Sequence, residues 1–426
     1  MLQKQREASS FEIEMELDKL SSLPGHVIDQ ILSQLPIKDA VRTSVLSRKW
    51  RYRWAKIPHL VFDNQCVPVP SQDQTSGKNK LIHIIDHVLL LHNGPIQKFK
   101  LSHRDLIGIS DVDRWILYLS RSTIKEFVLE IWKGQRYKLP SCLFSFENLI
   151  HLELFNCLLK PPSTFKGFRS LKSLDLQHVT LAQDAFENLI SSCPLLEKLT
   201  LMNFDGFTHL KIDSPNLQFF DIGGVFEYIS FENTFQLTLV SVGLYANRSD
   251  GDMFLEAIKW HRFFTNLPHV RRLEIQCHFL KYLATGGAPR MLPKPCSDLN
   301  YLSMRINFND WEENSAALCI LSSSPNLLEL ELLARAEEHN AVEKVTYSWV
   351  EDHYKCHLEH LRLVKIAGIS GIRSELDFIR FLLLYSPLLE RMTIKPASLD
   401  GGWDLMKELL RFRRASVQAE IVYLDP

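Results

Sequence analysis

The sequence has no apolar run long enough to span a bilayer. About 18 consecutive apolar residues are needed, and the best stretch, Val88-Leu89-Leu90-Leu91, is far shorter. The opening segment MLQKQREASSFEIEMELDKL alternates charges with isolated apolar residues and has no apolar centre of the signal-peptide kind. The Asn247-Arg248-Ser249 sequon is idle without secretion. Net charge is nearly absent: 49 Lys and Arg face 50 Asp and Glu, so no global field draws nucleic acid or an anionic membrane. Eight cysteines are scattered without a C-x-x-C pair, which excludes a zinc ribbon and argues against a disulfide framework. They read as free, mostly buried thiols in a reducing compartment. Catalytic signatures are missing as well. There is no P-loop, no G-x-G-x-x-G and no G-x-S-x-G; Gly368-Ile369-Ser370-Gly371 misses the last by one position. The expectation is a protein of the cytoplasm or nucleus that binds rather than catalyses, with no catalytic residue, cofactor, metal, nucleic-acid or membrane partner.

What is present is ordinary for a folded chain: 46% hydrophobic and 23% charged residues. At 426 residues there is room for two or three domains, or for one small domain and a long repeat array. Residues 1–17 read as a flexible N-terminus. Pro24 can open a helix, because its missing N–H is one the first turn leaves unpaired. Val27, Ile28, Ile31, Leu32 and Leu35 then share one face, and Pro36 ends that helix. The spacing predicts a second helix over Asp39–Val45, with Ala40, Val41 and Ser44 on one side. A third, capped by Ser47, would carry Trp50, Trp54 and Ile57 on a common face.

Three short helices cannot bury all of these side chains in a core of their own, so some are reserved for a partner. Each buried anchor contributes roughly 1.5–3 kcal/mol. Five or six give on the order of 10–15 kcal/mol, against an association cost of ~4–15 kcal/mol. Arg42, Arg48, Lys49, Arg51, Arg53 and Lys56, with no acid among them, would also suit the phosphate contacts of a helix-turn-helix DNA reader. No second basic stripe accompanies them and the same face holds two tryptophans, so a solvated basic face, or one suited to an acidic partner, is expected.

The run Leu23-Pro24, Ile28, Ile31, Leu32, Leu35-Pro36, Ala40, Val41, Ser44-Val45-Leu46-Ser47 and Trp50 resembles the F-box motif. That resemblance implies docking on a Skp-type adaptor, and through it on a cullin. Carried over by position, the adaptor-binding residues are Leu23, Pro24, Ile28, Ile31, Leu32, Leu35, Pro36, Val41, Val45, Leu46 and Trp50. Leu23 and Pro24 would touch the adaptor, and Ile31, Leu35 and Trp50 would form or brace the docking face. The module spans 18–63, and the polar stretch 64–80 reads as a linker.

Beyond Lys80–Leu91, where helical periodicity returns, an apolar-x-x-apolar-x-apolar unit recurs. Leu149-x-x-Leu152-x-Leu154-x-x-Cys157-x-Leu159 is a full leucine-rich-repeat match. Others are Ile124/Phe127/Leu129, Leu171/Leu174/Leu176, Leu196/Leu199/Leu201, Leu217/Phe220/Ile222, Val270/Leu273/Ile275, Leu299/Leu302/Met304, Leu327/Leu330/Leu332, Leu358/Leu361/Leu363 and Leu389/Met392/Ile394. Central positions 127, 152, 174, 199 and 220 are 25, 22, 25 and 21 apart; the spacing then lengthens. Before several strands a helix end breaks at proline, at Cys193-Pro194, Ser324-Pro325 and Ser386-Pro387. One strand and one helix per unit would give a curved α/β solenoid with parallel strands on the concave side and helices on the convex side. The array is expected over 81–346. Polar interruptions at 246–252, 284–298 and 334–346 are candidate loops.

Residues 347–426 resemble the FBD region of plant F-box proteins and would continue the repeats as a cap. Arg114-Trp115-Ile116 adds to the likeness to the plant F-box/FBD/leucine-rich-repeat family. Asp352, His353, Cys356, His357 and His360 would share a metal-binding face only if helical. The repeat pattern favours strand from about Leu358, so no metal site is expected. The resemblance implies a substrate-recognition subunit of a Skp-cullin-F-box ubiquitin ligase with an unknown target protein. Readings of other classes are a non-degradative scaffold and a receptor for a hormone-like ligand on the repeats.

Overall fold

A strand that buries every second residue needs a partner strand in register on each side; otherwise its apolar face and its backbone both stay open to water. This requirement organises the computed structural model, which describes residues 19–66, 74–107, 110–245, 260, 263–265, 267, 269–289, 291–292, 294–335, 358–398 and 402–426. The chain divides into two compact units, Met1–Leu181 and Ala182–Pro426.

The first unit opens with the turn Lys19–Ser22 and the helices α1 (Gly25–Ser33) and α2 (Ile37–Arg42). Pro24 and Pro36 stand at their N-caps, where a missing N–H costs nothing. After α2 the chain tightens into a 3-10 turn, Thr43–Val45. The expected third helix does not form. Tyr52 adopts φ +62, which an L-residue in a continuing helix cannot hold, and only a 3-10 segment, Arg53–Lys56, follows. The Ser47 hydroxyl caps nothing; it is buried without a hydrogen-bond partner.

The rest of the unit includes β1 (His59–Asp63), α3 (Gln74–Leu91), β2 (Lys98–Ile107), α4 (Ser110–Leu119), β3 (Glu126–Lys133), β4 (His151–Phe155) and β5 (Ser173–Gln177). The strands pair in parallel, in chain order. Leu60, Phe99, Phe127, Leu152 and Leu174 form one column across them, and Phe62, Leu101, Leu129, Leu154 and Leu176 a second. All ten side chains are buried. The stretch 64–80, expected as a linker, is described only at its two ends. The module runs straight into β1, the sheet's first strand; Cys66 is buried, α3 starts at Gln74, and 67–73 lie outside the described residues. Arg114 and the Trp115 indole both donate to Asp86, at 2.8 and 2.7 Å, which ties α4 to α3 and gives the Arg114-Trp115-Ile116 motif a structural role.

The second unit contains α5 (Gln183–Ser191), β6 (Lys198–Met202), β7 (Phe219–Gly224), β8 (Leu239–Leu244), β9 (Arg272–Cys277), α6 (Phe279–Ala284), β10 (Tyr301–Ile306), α7 (Trp311–Ser322), β11 (Glu329–Ala334), β12 (Leu363–Ile369), α8 (Arg373–Tyr385), β13 (Arg391–Pro396), α9 (Gly402–Arg411) and β14 (Glu420–Tyr423). Its strands also pair in parallel and in chain order, β6 to β14. One buried column runs Leu199, Phe220, Val240, Leu273, Leu302, Leu330, Val364 and Met392. The three proline breaks each lead from a helix into the next strand: α5 into β6, α7 into β11 and α8 into β13.

Three expectations change. The triad near 358 is Leu361/Val364/Ile366, because β12 starts at Leu363 and Leu363 itself is 36% exposed. Both triads fit the template, and pairing with β11 selects the later one. The spacing does not lengthen straight after Phe220, since Leu237/Val240/Val242 supplies a repeat there. Finally, not every repeat returns through a helix. Phe220 and Val240 are too close in sequence to admit one, and short strands His209–Asp213 and Tyr228–Glu232 pair with each other instead. Leu302 and Leu330, further apart, accommodate the twelve-residue α7.

Several strands exit through a left-handed residue, including Asn156, His178 and Asn203, with φ 59, 52 and 52. Asparagine tolerates this region better than most residues. The Asn156 side chain also donates to the Ile131 carbonyl at 3.0 Å, locking one exit to the strand before it.

Candidate docking faces

The helical module holds together through a small core and a few long polar side chains. Ile28, Leu32, Ala40, Trp50 and Trp54 are buried. The Trp50 indole donates to the Leu20 carbonyl at 3.0 Å. Arg53 reaches Asp29 at 2.8 Å and the Gly25 carbonyl at 3.1 Å, and Lys49 donates to the Leu23 carbonyl. Arg42 meets Asp39 at 3.3 Å, so three of the six cations that suggested phosphate contacts are engaged within the module. At its far end the module is pinned to the connection between α3 and β2: Asn93 N–H donates to the Ala55 carbonyl at 2.9 Å, and His92 Nε2 lies 2.9 Å from the Ile57 carbonyl. Burial lowers the His92 pKa, against the raising effect of its backbone hydrogen bonds.

The residues expected to meet an adaptor fall into two sets. Val45 is 88% exposed, Leu46 48% and Ile31 37%; Pro24 and Pro36 are also exposed, and Leu23, Leu35 and Val41 are partly so. Ile28, Leu32 and Trp50, with 0, 0 and 2% exposure, are enclosed in the core beneath these residues. Helical spacing put Ile28 and Leu32 on the same side as Ile31, and it cannot tell the centre of an apolar stripe from its edge. Sequence reasoning missed Leu20 and Tyr52, exposed apolar neighbours of this set. Beside the face, a groove of about 670 Å³ separates α2 from α3. Ile37, Val41, Cys66, Ile84 and Val88 line it, with Lys38, Arg42, Lys80, His83 and His87 at its margins.

The second candidate face is the outward side of the strands, where alternate residues escape the core. In the first unit it carries Lys98, Lys100, Glu126, Glu130, His151, Glu153 and Asp175. Lys98 sits 2.7 Å from Glu126, and the hydrogen bond holds that carboxylate below its ordinary pKa. Glu153 is lowered too, first by His151 and then by Lys100. In the second unit Arg272 lies over the Tyr301 ring, 3.6 Å from its centre, and contacts Glu274 at 2.8 Å. Tyr301 donates to Glu331 at 2.8 Å, and its phenol is pushed up to about 12, chiefly by burial. Asp221 is raised by burial, which the Ser241 hydroxyl only partly offsets.

No group of three or more metal-ligating side chains occurs among the described residues. Of the cluster at 352–360, residues 352–357 lie outside the described residues, and His360 Nδ1 is 3.0 Å from the Pro325 carbonyl. No described helix is long and apolar enough to cross a membrane. The described cysteines are free, and burial pushes the Cys157, Cys296 and Cys319 thiols up to about 12.

Comparison with known proteins bears directly on this arrangement. A family model described as "FBD-associated F-box protein At5g56370, LRR repeats" matches residues 112–332, just over half of the chain. An Arabidopsis thaliana protein, "F-box/FBD/LRR-repeat protein At1g13570", is 40% identical over 414 residues, covering 96% of this chain and 99% of its own length. This chain belongs to the F-box/FBD/LRR-repeat family. Two further Arabidopsis thaliana relatives are similar over most of their length: "FBD-associated F-box protein At5g22730", 27% identical over 95% of this chain and 94% of the relative, and "F-box/FBD/LRR-repeat protein At5g53840", 28% identical over 89% and 88%. The F-box model matches 20–61 and the FBD model 352–394. In this F-box/FBD/LRR-repeat protein the F-box match ends inside β1, so the motif includes the first strand of the sheet. From Leu358 on, the FBD match is β12, α8 and β13, one more turn of the repeat. Glu375 fixes its corner: one carboxylate oxygen accepts from the Ser370, Gly371 and Ile372 N–H groups at 2.9, 2.7 and 3.1 Å.

Proposed function

We propose that this chain is a substrate-recognition subunit of a Skp-cullin-F-box ubiquitin ligase. The F-box would dock on a Skp-type adaptor through Leu23, Pro24, Ile31, Leu35, Pro36, Val41, Val45 and Leu46, and the outward strand face would hold a target protein. The supporting observation is the exposed apolar set on the F-box helices. Side chains such as Val45 and Leu46 cost free energy in water unless a partner covers them, and the chain's own core already encloses Ile28, Leu32 and Trp50. Ubiquitin transfer would belong to other subunits, with this chain supplying proximity and selection. Its place of action would be the cytoplasm or nucleus, where Skp-type adaptors and cullins meet free thiols of this kind.

Co-expression with a Skp-type adaptor tests the docking half. The wild type should co-elute with the adaptor, and an Ile31→Asp, Val45→Asp double variant should elute alone with an unchanged circular dichroism spectrum. Equal co-elution removes the reading. The target half is tested by proteome comparison of cells with and without the protein: a receptor for degradation leaves a bound partner more abundant when it is absent. Bound partners whose abundance does not change would point to a non-degradative scaffold.

A further inference from the structure

The two outermost strands of the repeat array are finished differently. In the first unit Leu60 and Phe62 of β1 are fully buried. In the second unit β14 is outermost, and β13 is its only strand partner among the described residues. Ile421 and Tyr423 stand opposite Met392 and Ile394 and extend the apolar columns by one step. They are half-exposed, whereas Met392 and Ile394 are enclosed. The Glu420 and Leu424 N–H groups donate back to the Glu390 and Ile394 carbonyls, each at 2.9 Å. Alternation along the strand then aims the N–H and C=O groups of Ile421 and Tyr423 outward, at the open edge.

Helix α9 belongs to the same end. Gly402, its first residue, makes room for Tyr423: a Cβ there would lie 2.6 Å from the phenol oxygen. Leu405 points back at the preceding repeat, its own Cβ 3.6 Å from the place a Cβ on Gly371 would take, and it is buried together with Leu409. Met406, Leu410 and Trp403 lie roughly 100–160° round the helix from Leu405, toward the open end. Trp403 is 70% exposed and Leu410 62%; Lys407 of the same helix stands 5.6 Å from the Trp403 ring centre. A terminal repeat ordinarily turns a polar face to water, and an open edge strand is ordinarily blunted by lysine, proline or a bulge. From Ile421 to Leu424 this edge has none of them.

We propose that a second copy of the chain docks here, β14 pairing antiparallel with its counterpart about a two-fold axis through Val422. Val422 then meets Val422, and Ile421 meets Tyr423 of the other copy on either side of the axis, each such pair exchanging two hydrogen bonds. This register sets outward-facing groups against outward-facing groups. It also places Glu420 opposite Leu424 and not opposite another acid, and it carries the apolar columns across the junction. The axis stands perpendicular to the sheet, so both α9 helices stay on one side with their stripes facing each other. A two-fold contact requires a surface that complements itself. Residues 402–426 carry four Lys and Arg against four Asp and Glu, so identical copies do not repel, and a strongly charged partner of either sign gains nothing from this end. A short strand and one helix stripe fall short of the ~800 Å² per partner of a standard interface, which puts association in the micromolar range. The F-box, in the first unit, takes no part in it.

Sedimentation velocity of the purified full chain tests this. The average mass should rise from one chain toward two as concentration is raised roughly a hundredfold through the micromolar range. Trp403→Lys combined with Leu410→Lys, both at exposed positions, should hold it at one chain throughout, with an unchanged melting temperature. Ile421→Pro, which removes an outward donor and no bond to β13, should do the same. Cysteines read the register. Under mild oxidation Val422→Cys should link two copies, because opposite Cα atoms at a non-hydrogen-bonded pair lie about 4.5 Å apart. Glu420→Cys and the wild type should stay unlinked. A single-chain mass at every concentration, a dimer that survives both the helix and the edge variants, or Glu420→Cys linking as readily as Val422→Cys overturns the proposal.

Discussion

The F-box helices and the repeat strands are built from similarly apolar sequence, yet they dispose of it in opposite ways. Each strand sorts its residues by parity: Leu152 and Leu154 lie in the buried columns and Glu153 between them faces out. A helix turns through 100° per residue and offers no such binary choice. In α1, Ile28 and Leu32 reach the interior while Ile31, one step away, is left at the boundary. An array of strands can thus be closed by its own neighbours, and a pair of short helices leaves an apolar remainder exposed.

The strongest way to break this comparison is to put an unpaired charge inside the array. Glu313 is fully buried, accepts from the Asn307 N–H at 2.9 Å and meets Arg335, which also donates to the Cys277 carbonyl at 2.7 Å. Glu313→Ala strands Arg335 and should cost about 3–5 kcal/mol, read as a lower urea midpoint. Leu174→Ala, which empties one site in a column, should cost about 2–5 kcal/mol by the same assay. In the module the expectation is split between neighbours. Ile28→Ala should cost about 2–5 kcal/mol, whereas Ile31→Ala should stay within about 1 kcal/mol in the free chain and weaken adaptor binding instead. If both variants lose stability alike, the distinction between core and remainder fails.

Smaller effects sharpen the picture. Glu126 and Glu153 have folded-state pKa values below their ordinary value. Their contribution is therefore complete above the ordinary carboxylate range and disappears as pH falls through the lowered folded values. Lys98→Met should flatten the Glu126 part of this acid-side slope in a melting-temperature profile, and a slope that does not change would show the pair to be idle. High salt should shrink the same part, because both partners are partly exposed. Smallest in free energy but easy to read is thiol chemistry. Cys142 and Cys277 are only partly buried and should react with a maleimide before Cys157, Cys296 or Cys319, as mass spectrometry after short labelling would show.

Much of the array was legible because its signal is written twice, in the leucine triads and in the proline that ends a preceding helix. Where only one signal exists, reading falters. HLEHLRLVKI contains two overlapping triads, and only pairing with β11 chooses Leu361/Val364/Ile366. Ile96-x-x-Phe99-x-Leu101 and Leu237-x-x-Val240-x-Val242 escaped notice although their periodicity is intact. The missing third helix had no local warning: nothing in Trp50-Arg51-Tyr52-Arg53 announces a left-handed tyrosine. On the docking side, sequence found the stripe and not its depth. Ile28, Leu32 and Trp50 are as apolar as Ile31, and burial alone separates them.

Alternation along each strand also separates two kinds of selection. A change at Leu152 is judged by the residues stacked on either side, which punish it immediately. A change at Glu153, Asp175 or Thr200 is judged by whatever touches the open face, at a folding cost usually within about 0.5 kcal/mol. A lineage carrying this architecture can therefore change what its open face fits by single substitutions, every intermediate still folded, while the F-box helices stay as they were.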